Sequence, residues 1–332
     1  MGTKMPKLII IVGPTASDKS KLGTKLARKF NGELISADSR KIYKEVKIGT
    51  HTPRGNWTLV NDDLRFISDG MIWHLIDFLE TNKTYTVSEY QELFYKTVND
   101  IYNRQKITRK RKVPVPIVVG GTGLYINAIK ENYIIPKLKP DIELRTKIEN
   151  EIKINGLEKT YNRLLSLDQH AKTVVDSRNP RRVIRALEVC LKTGQPFTSQ
   201  RQKGKCLFKT LQIGIYMERC ELDKLINKRV DEMIQNGFVD EVKILISKLS
   251  EAATQKSSDY IFSLPILTSL GYREIISYIS GEKSLDETVE LIKISTRQYA
   301  RRQMTWFKKD KTIKWVKNYT ECEKLVKDFL KI

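Results

Sequence analysis

The segment Lys7-Leu8-Ile9-Ile10-Ile11-Val12-Gly13-Pro14-Thr15-Ala16-Ser17-Asp18-Lys19-Ser20 constrains the chain more than any other, because an apolar run of strand length feeds a turn and then a helical pattern. Its spacing approaches G-x-x-x-x-G-K-[ST], in which backbone N–H groups wrap phosphate oxygens, the lysine neutralises them and the hydroxyl ligates magnesium. Gly13, Lys19 and Ser20 keep their places, while Asp18 stands where the pattern has its second glycine. With a strand before it and a helix after it, the segment reads as a phosphate loop rather than a plain strand-turn-helix corner. A phosphorylated ligand is expected, and the loop alone does not say which.

A chain of 332 residues, 40% apolar and 30% charged, has room for one large α/β domain with an insertion. Its longest apolar runs, such as Leu8 to Val12 and Val115 to Val119, are too short to span a bilayer. The first of them leads straight into Gly13-Pro14, which is no signal-peptide pattern. Cys190, Cys206, Cys220 and Cys322 form no C-x-x-C pair, and His51, His74 and His170 lie far apart. Reduced thiols in a cytoplasmic protein are expected, and a zinc or histidine-built centre is not.

The formal charge is +21, from 60 basic against 39 acidic residues, and such a surface attracts polyanions at long range. A compositional bias of the genome accounts for abundant lysine and isoleucine but not for clustered arginine. Arg178, Arg181, Arg182 and Arg185 fall at helical spacings, opposite an apolar stripe of Val183, Ala186, Leu187, Cys190 and Leu191. A second cluster, Arg297, Arg301, Arg302, Lys308, Lys309 and Lys311, is interrupted by Met304, Trp306 and Phe307. Both read as nucleic-acid contacts rather than merely solvated faces. The run Arg109-Lys110-Arg111-Lys112 reads instead as an exposed helix end.

Strand and helix patterns alternate over the first 130 or so residues, which predicts a parallel sheet covered on both faces. Strands are expected at Leu8 to Val12, Glu33 to Ala37, Trp73 to Asp77 and Val115 to Val119, with helices over about Lys19 to Phe30 and from Thr86 to about Lys106. Helical periodicity then takes over, so residues 141–203 are predicted to be an all-helical insertion in a core made of residues 1–140 and 204–332. Thr210 to Tyr216 restores a strand, and helices follow from about Glu221 and Val239. Ser284-Leu285-Asp286-Glu287 and Thr320-Glu321-Cys322-Glu323 have the capping-box spacing, as does Thr86-Val87-Ser88-Glu89, and a short strand is expected at Thr312 to Val316. The stretch from Ser250 to Ser258 is the most loop-like.

In a doubly wound sheet, ligands bind where the carboxyl ends of the parallel strands meet. The phosphate loop, Asp38 and Gly121-Thr122 each follow a predicted strand, so all three are expected at one cleft. A carboxylate facing a bound phosphate is placed for general-base work, although Asp38 also fits a helix N-cap or turn. Thr122 either orients that carboxylate or caps a helix at Leu124.

Seven blocks now line up with a known family: Gly13-Pro14-Thr15-Ala16-Ser17-x-Lys19-Ser20, Asp38-Ser39-Arg40-x-Ile42-Tyr43, Ile48-Gly49-Thr50, Gly120 to Tyr125, Asn179 to Glu188, Leu270-Gly271-Tyr272-Arg273-Glu274 and Thr296 to Phe307. In this order they resemble the tRNA dimethylallyltransferases, also called tRNA isopentenyltransferases, over nearly the whole chain. The resemblance implies a P-loop NTPase-like α/β core and transfer of a dimethylallyl group from dimethylallyl diphosphate to N6 of adenosine 37 of tRNA, with magnesium required. It makes Asp38 the base and Thr122 a contact to the adenosine. Gly13, Pro14, Thr15, Ala16, Ser17, Asp18, Lys19, Ser20 and Arg229 would hold the diphosphate, Ser20 with Mg2+. On the tRNA path it puts Ser39, Arg40, Lys41, Arg145, Arg181, Arg182, Arg185, Gly271, Tyr272, Arg273, Arg301, Arg302 and Trp306.

Family members carry glycine at position 18, so Asp18 is expected to weaken diphosphate binding, or activity altogether, with the fold intact. The chain ends soon after its last helix, which suggests the bacterial type without a C-terminal zinc finger; a monomer is expected. Three other readings share parts of the pattern. A small-molecule kinase would use the same loop with Asp77 as a magnesium partner, and an adenylate isopentenyltransferase would share the core motifs but not the arginine-bearing insertion. A non-catalytic RNA-binding protein would explain the charge but not the company of Asp38 and Thr122.

Overall fold

Strand β1 (Lys7–Val12) is buried on both faces, with Leu8, Ile10 and Val12 in one apolar cluster and Ile9 and Ile11 in another. That is the signature of a central strand in a covered parallel sheet. The structure, a computed structural model, describes residues 5–60, 63–108, 114–136, 138, 140–200, 202–252 and 258–332. The basic run Arg109 to Lys112 lies outside the described residues.

After β1 come α1 (Lys19–Phe30), β2 (Gly32–Ser36), β3 (Asn56–Val60), β4 (Asp63–Ser68), β5 (Met71–His74), α2 (Val87–Thr108), β6 (Val115–Gly120) and α3 (Gly123–Lys130). A separate unit, Glu131–Cys206, carries β7 (Tyr133–Ile134), α4 (Ile142–Asn155), α5 (Leu157–Leu167), α6 (Pro180–Thr193) and β8 (Gln202–Lys203). The first unit resumes with β9 (Lys209–Ile215), α7 (Arg219–Gln235), α8 (Phe238–Glu251), α9 (Ser258–Ser263), α10 (Tyr272–Ile279), α11 (Leu285–Phe307), β10 (Lys314–Val316) and α12 (Tyr319–Leu330). Of the loop expected from Ser250 to Ser258, residues 253–257 lie outside the described residues.

The sheet runs in the order β10-β9-β1-β6-β2-β5-β4-β3 and is parallel from β10 to β5. Helices cover both faces. Leu26, Ala27 and Phe30 of α1 and Val326 of α12 pack on one, and Phe94 and Val98 of α2 with Ile126 and Ile129 of α3 pack on the other. Fully burying a Leu, Ile, Val or Phe side chain in this way contributes roughly 1.5–3 kcal/mol. The antiparallel pair β3–β4 at the edge was not anticipated. Four of the five β3 residues are exposed, so the alternation that marks a half-buried strand is missing there.

A third layer is helical. Val230, Phe238, Val242, Ile275 and Ile292, from α7, α8, α10 and α11, enclose Ile42, Tyr43 and Val46. It therefore grips the segment that follows Asp38. Thr86 with Glu89, and Ser284 with Glu287, form the expected capping boxes. At α12 the cap is Asn318, whose side chain accepts the Glu321 N–H at 3.0 Å, rather than Thr320. An Asn three residues before a Glu caps as well as the Thr pattern does.

In the separate unit α4, α5 and α6 pack around Ile148, Leu164, Val183 and Leu187. Alongside the helices, β7 and β8 form a two-residue antiparallel ribbon, too short to leave a period in the sequence. The Glu188 side chain is fully buried and accepts from Arg145 Nε (3.0 Å) and Nη2 (2.9 Å), Arg185 Nη1 (2.6 Å) and the Asp141 N–H (2.7 Å). Removing one partner of such a cluster strands the others. Glu188→Ala is expected to cost about 3 kcal/mol, read as loss of protection across α4 and α6 in hydrogen exchange.

Candidate active site

The phosphate loop owes its shape to two left-handed residues and to contacts from outside it. Ala16 (φ 64°) and Asp18 (φ 54°) both lie in the αL region, where aspartate is tolerated better than most side chains. Inside the loop, Ser17 Oγ donates to the Pro14 carbonyl at 2.8 Å, and Lys19 Nζ donates to the same oxygen. From outside, Ala16 packs on Leu222 and Ile226 of α7 and Ala300 of α11. Gln303 of α11, buried, accepts the Thr15 N–H at 2.7 Å and donates to the Gly121 carbonyl at 3.0 Å. One side chain thus ties the loop after β1 to the loop after β6.

Asp38 follows β2 at the same edge. Its Oδ1 accepts the Arg40 N–H at 2.9 Å, an Asx-type turn that holds the carboxylate. The Thr122 hydroxyl oxygen accepts the Ser39 N–H at 3.1 Å, and the Thr122 N–H donates to the Ala37 carbonyl at 3.1 Å. Helix α3 starts directly after it. Thr122 therefore braces the Asp38 turn, and the cleft lining includes Gly121 but not Thr122. The approach is close enough that a Cβ on Gly120 would collide with the Ala37 carbonyl.

These elements border an open cleft of about 1070 Å³, lined by Thr15 to Ser20, Asp38, Lys41, His51, Gly121, Arg229 and Tyr299, among others. Its charge is lopsided. Burial, with Lys41 and Arg229 nearby, pushes the Lys19 ammonium down to about 7, against the pull of Asp38 and Asp18. Burial also lowers Lys41, opposed by Asp38 and helped by Arg229, and lowers Arg229, opposed by Asp18 and Glu232. Burial and these same three cations push His51 down to about 3. A site that disfavours its own positive charges in this way is complementary to a polyanion.

Not every residue expected at a binding surface is on one. Lys41, expected on the tRNA side, points into the cleft, its Nζ 3.5 Å from Ser20 Oγ. Gly271 and Tyr272 are buried in the helical layer, and the Tyr272 hydroxyl donates to Glu241 at 2.8 Å; neither offers a surface to RNA. Arg145 and Arg185 are engaged by Glu188. Arg181, Arg182, Arg273, Arg301 and Arg302 are exposed, Arg273 with Glu274 at 2.8 Å and Arg302 over the Tyr299 ring. Trp306 is half-exposed, and its indole fills the space a side chain at Gly123 would need.

Three contributors were missed. Gln303 sits in a run legible only as basic and aromatic. His51 occupies a left-handed turn (φ 51°) that no glycine marks. Glu241 of α8 accepts the N–H groups of Lys47, Ile48 and Gly49 at 2.7–3.0 Å, and so shapes the loop carrying His51. No local sequence signal links positions nearly 200 residues apart.

This cleft lies at the carboxyl edge of a P-loop-like α/β sheet. The family model described as IPP transferase matches residues 41–310. The chain is 40% identical to a tRNA dimethylallyltransferase of Halothermothrix orenii, covering 97% of this chain and 93% of that one. A second such enzyme, from Acetivibrio thermocellus, is 39% identical over 98% of this chain and 96% of its own length. Among solved structures, the full-length tRNA isopentenylpyrophosphate transferase of Bacillus halodurans matches with a TM-score of 0.66 and 30% identity, over 98% of this chain and 97% of that one. A eukaryotic dimethylallyltransferase crystallised acting on tRNA matches with a TM-score of 0.66 and 26% identity, over 91% of this chain and 69% of that one. The chain belongs to the IPP transferase family.

Two substitutions test the geometry. Gly120→Ala must push the Ala37–Asp38 turn aside, so it is expected to cost about 1–3 kcal/mol of stability and to lower activity more than the loss of folded protein explains. The Asp18 carboxylate, 66% exposed, stands 4.0 Å from Arg229 Nη2 and competes with any anion for it. Asp18→Gly is expected to tighten inorganic pyrophosphate binding up to about fivefold, the range of an exposed ion pair, measured by calorimetry.

Proposed function

We propose that the chain transfers a dimethylallyl group from dimethylallyl diphosphate to N6 of adenosine 37 of tRNA, next to the anticodon, and releases diphosphate. Family membership supports tRNA prenylation, and neither a kinase nor an adenylate-prenylating enzyme is favoured. The observation that carries the residue-level reading is the enclosed trio of Lys19, Lys41 and Arg229 with a carboxylate, Asp38, on the same cleft.

An exocyclic amine is a weak nucleophile, and diphosphate is a good leaving group only when its charge is met. As N6 bonds to C1 of the donor, the C1–O bond breaks and its electron pair leaves with the diphosphate. Asp38 takes the N6 proton, which is general-base work, and Lys19, Arg229 and the loop N–H groups meet the departing charge. Among the described residues no cluster of three or more His, Cys, Asp or Glu side chains is positioned to hold a metal ion. Of the protein groups, the Ser20 hydroxyl at the end of the phosphate loop is the one that would hold magnesium. When bound it would supply further neutralisation of the leaving group.

For tRNA, we assign the phosphate contacts to the exposed Arg181, Arg182, Arg273, Arg301 and Arg302, whose effect is salt-dependent and independent of sequence. Tyr299, on the cleft wall, and Trp306 offer ring surface to an extruded base, a step that costs a few kcal/mol. Among the described residues no helix is long and apolar enough to cross a membrane, which together with the free cysteines supports action in the cytoplasm.

The test incubates the protein with Mg2+, labelled dimethylallyl diphosphate and either unmodified tRNA or AMP. Label is expected in tRNA alone; label in AMP, or in neither, overturns the proposal. Asp38→Asn is expected to lower kcat by about 10²–10⁴-fold while pyrophosphate binding persists, and full turnover by that variant would remove Asp38 as the base.

A further inference from the structure

Of the cations that line the cleft, Lys41 is the one that reaches the start of α1 from the Asp38 side. Lys41 does not stand on a free surface loop, because its backbone is fixed by its own carbonyl and by the residues that follow it. The Asp77 N–H donates to the Lys41 carbonyl at 2.8 Å, and Ile42 and Tyr43, the next two residues, are 1% and 2% exposed in the helical layer. From that anchored position the side chain runs to the start of α1, where Nζ meets Ser20 Oγ at 3.5 Å.

Among the described residues, no carboxylate forms an ion pair within 4 Å of that ammonium or of Lys19, and Arg229 has Asp18 at 4.0 Å. Among the described residues these three half-buried cations share one marginal carboxylate contact. Crowded cations repel one another and attract an anion, so the arrangement is completed by an anion of at least two charges lying between α1, the Asp38 turn and α7. On the functional reading above, that anion is the donor's diphosphate.

We propose that Lys41 is a diphosphate-binding residue of this enzyme, clamping the leaving group from the Asp38 side while Lys19 and Arg229 hold it from the loop and from α7. A cation there has a second use. It stands between two negative groups, the Asp38 carboxylate and the diphosphate, and weakens their repulsion when both are in place. Lys41 then acts on the donor rather than on the tRNA backbone, and its removal is felt in one substrate's binding and not in the other's.

The experiment compares wild type, Lys41→Met and Lys41→Arg in calorimetric titration with inorganic pyrophosphate and Mg2+, and in steady-state transfer with each substrate varied. Lys41→Met is expected to weaken pyrophosphate about tenfold or more, the weight of a charge-assisted contact. The KM for dimethylallyl diphosphate should rise in step, with the KM for tRNA within about twofold of wild type. Lys41→Arg, which keeps the charge, should recover most of the loss. Unchanged pyrophosphate affinity in Lys41→Met overturns the proposal, as does an effect confined to the KM for tRNA. A wild type that binds no pyrophosphate at millimolar concentration also overturns it. If wild type binds pyrophosphate but transfers nothing to tRNA, the functional reading fails while the role of Lys41 is still decided by the titration. Should Lys41→Met not fold, Lys41→Gln takes its place in the same titration, with the thermal midpoint as control.

Discussion

Like charges enclosed together are the constraint on which this molecule is organised. Lys19 at the start of α1, Lys41 in the turn after β2 and Arg229 in α7 meet at one cleft, and each is held where burial disfavours its charge. A fold accepts such a cluster only if the rest of its packing outweighs the cost. Here the central strand is buried on both faces, and the helical layer closes over Ile42 and Tyr43. The rigidity that stabilises the scaffold also keeps the cations from moving apart. On the function proposed above, strain of this kind is useful, because an arriving diphosphate would relieve it and fixed charges need no reorganisation when a leaving group departs.

The core was legible in the sequence because both its periods are strong. Apolar runs of strand length alternate with amphipathic helices, and turn residues separate them, so the parallel sheet and the convergence of three loops at one edge follow from pattern alone. What escaped was set by tertiary contact. The β3–β4 pair has little buried face to leave a pattern, and Tyr272 carries no mark that its hydroxyl belongs to Glu241. Lys41 illustrates the limit most clearly, since in sequence it is one basic residue beside another. Only the anchoring of Ile42 and Tyr43 decides that it turns inward.

Arginine clustering marks a basic face and does not show which of its members the core has already engaged. In α6 the spacing of Arg181, Arg182 and Arg185 puts all three near one another, yet Glu188, one turn beyond Arg185, is fully buried and needs partners. A buried carboxylate recruits the nearest guanidinium groups, so Arg185 and the distant Arg145 are drawn to it while Arg181 and Arg182 stay exposed. Long-range attraction depends on the sum of charges, and contact depends on which of them the core has already engaged. Acidic residues at apolar-stripe positions are therefore the feature to look for before a basic face is assigned to RNA.

The loop itself shows how a glycine position can be filled. Two non-glycine residues in the αL region cost of order 1 kcal/mol each or more, against which the loop itself sets the bonds from Ser17 and Lys19 to the Pro14 carbonyl. A further offset comes from α7 and α11, through the seat of Ala16 on Leu222, Ile226 and Ala300 and through the bridge from Thr15 by Gln303 to Gly121. Because the shape is enforced from outside, a Cβ at position 18 is accommodated, and its carboxylate projects into solvent with Arg229 4.0 Å away. The consequence of Asp18 is then electrostatic rather than steric. The same α11 that holds the loop also carries Arg301 and Arg302 on its exposed face, so the element that presents charge outward fixes the phosphate cradle inward, and a change in either face of that helix is felt at both.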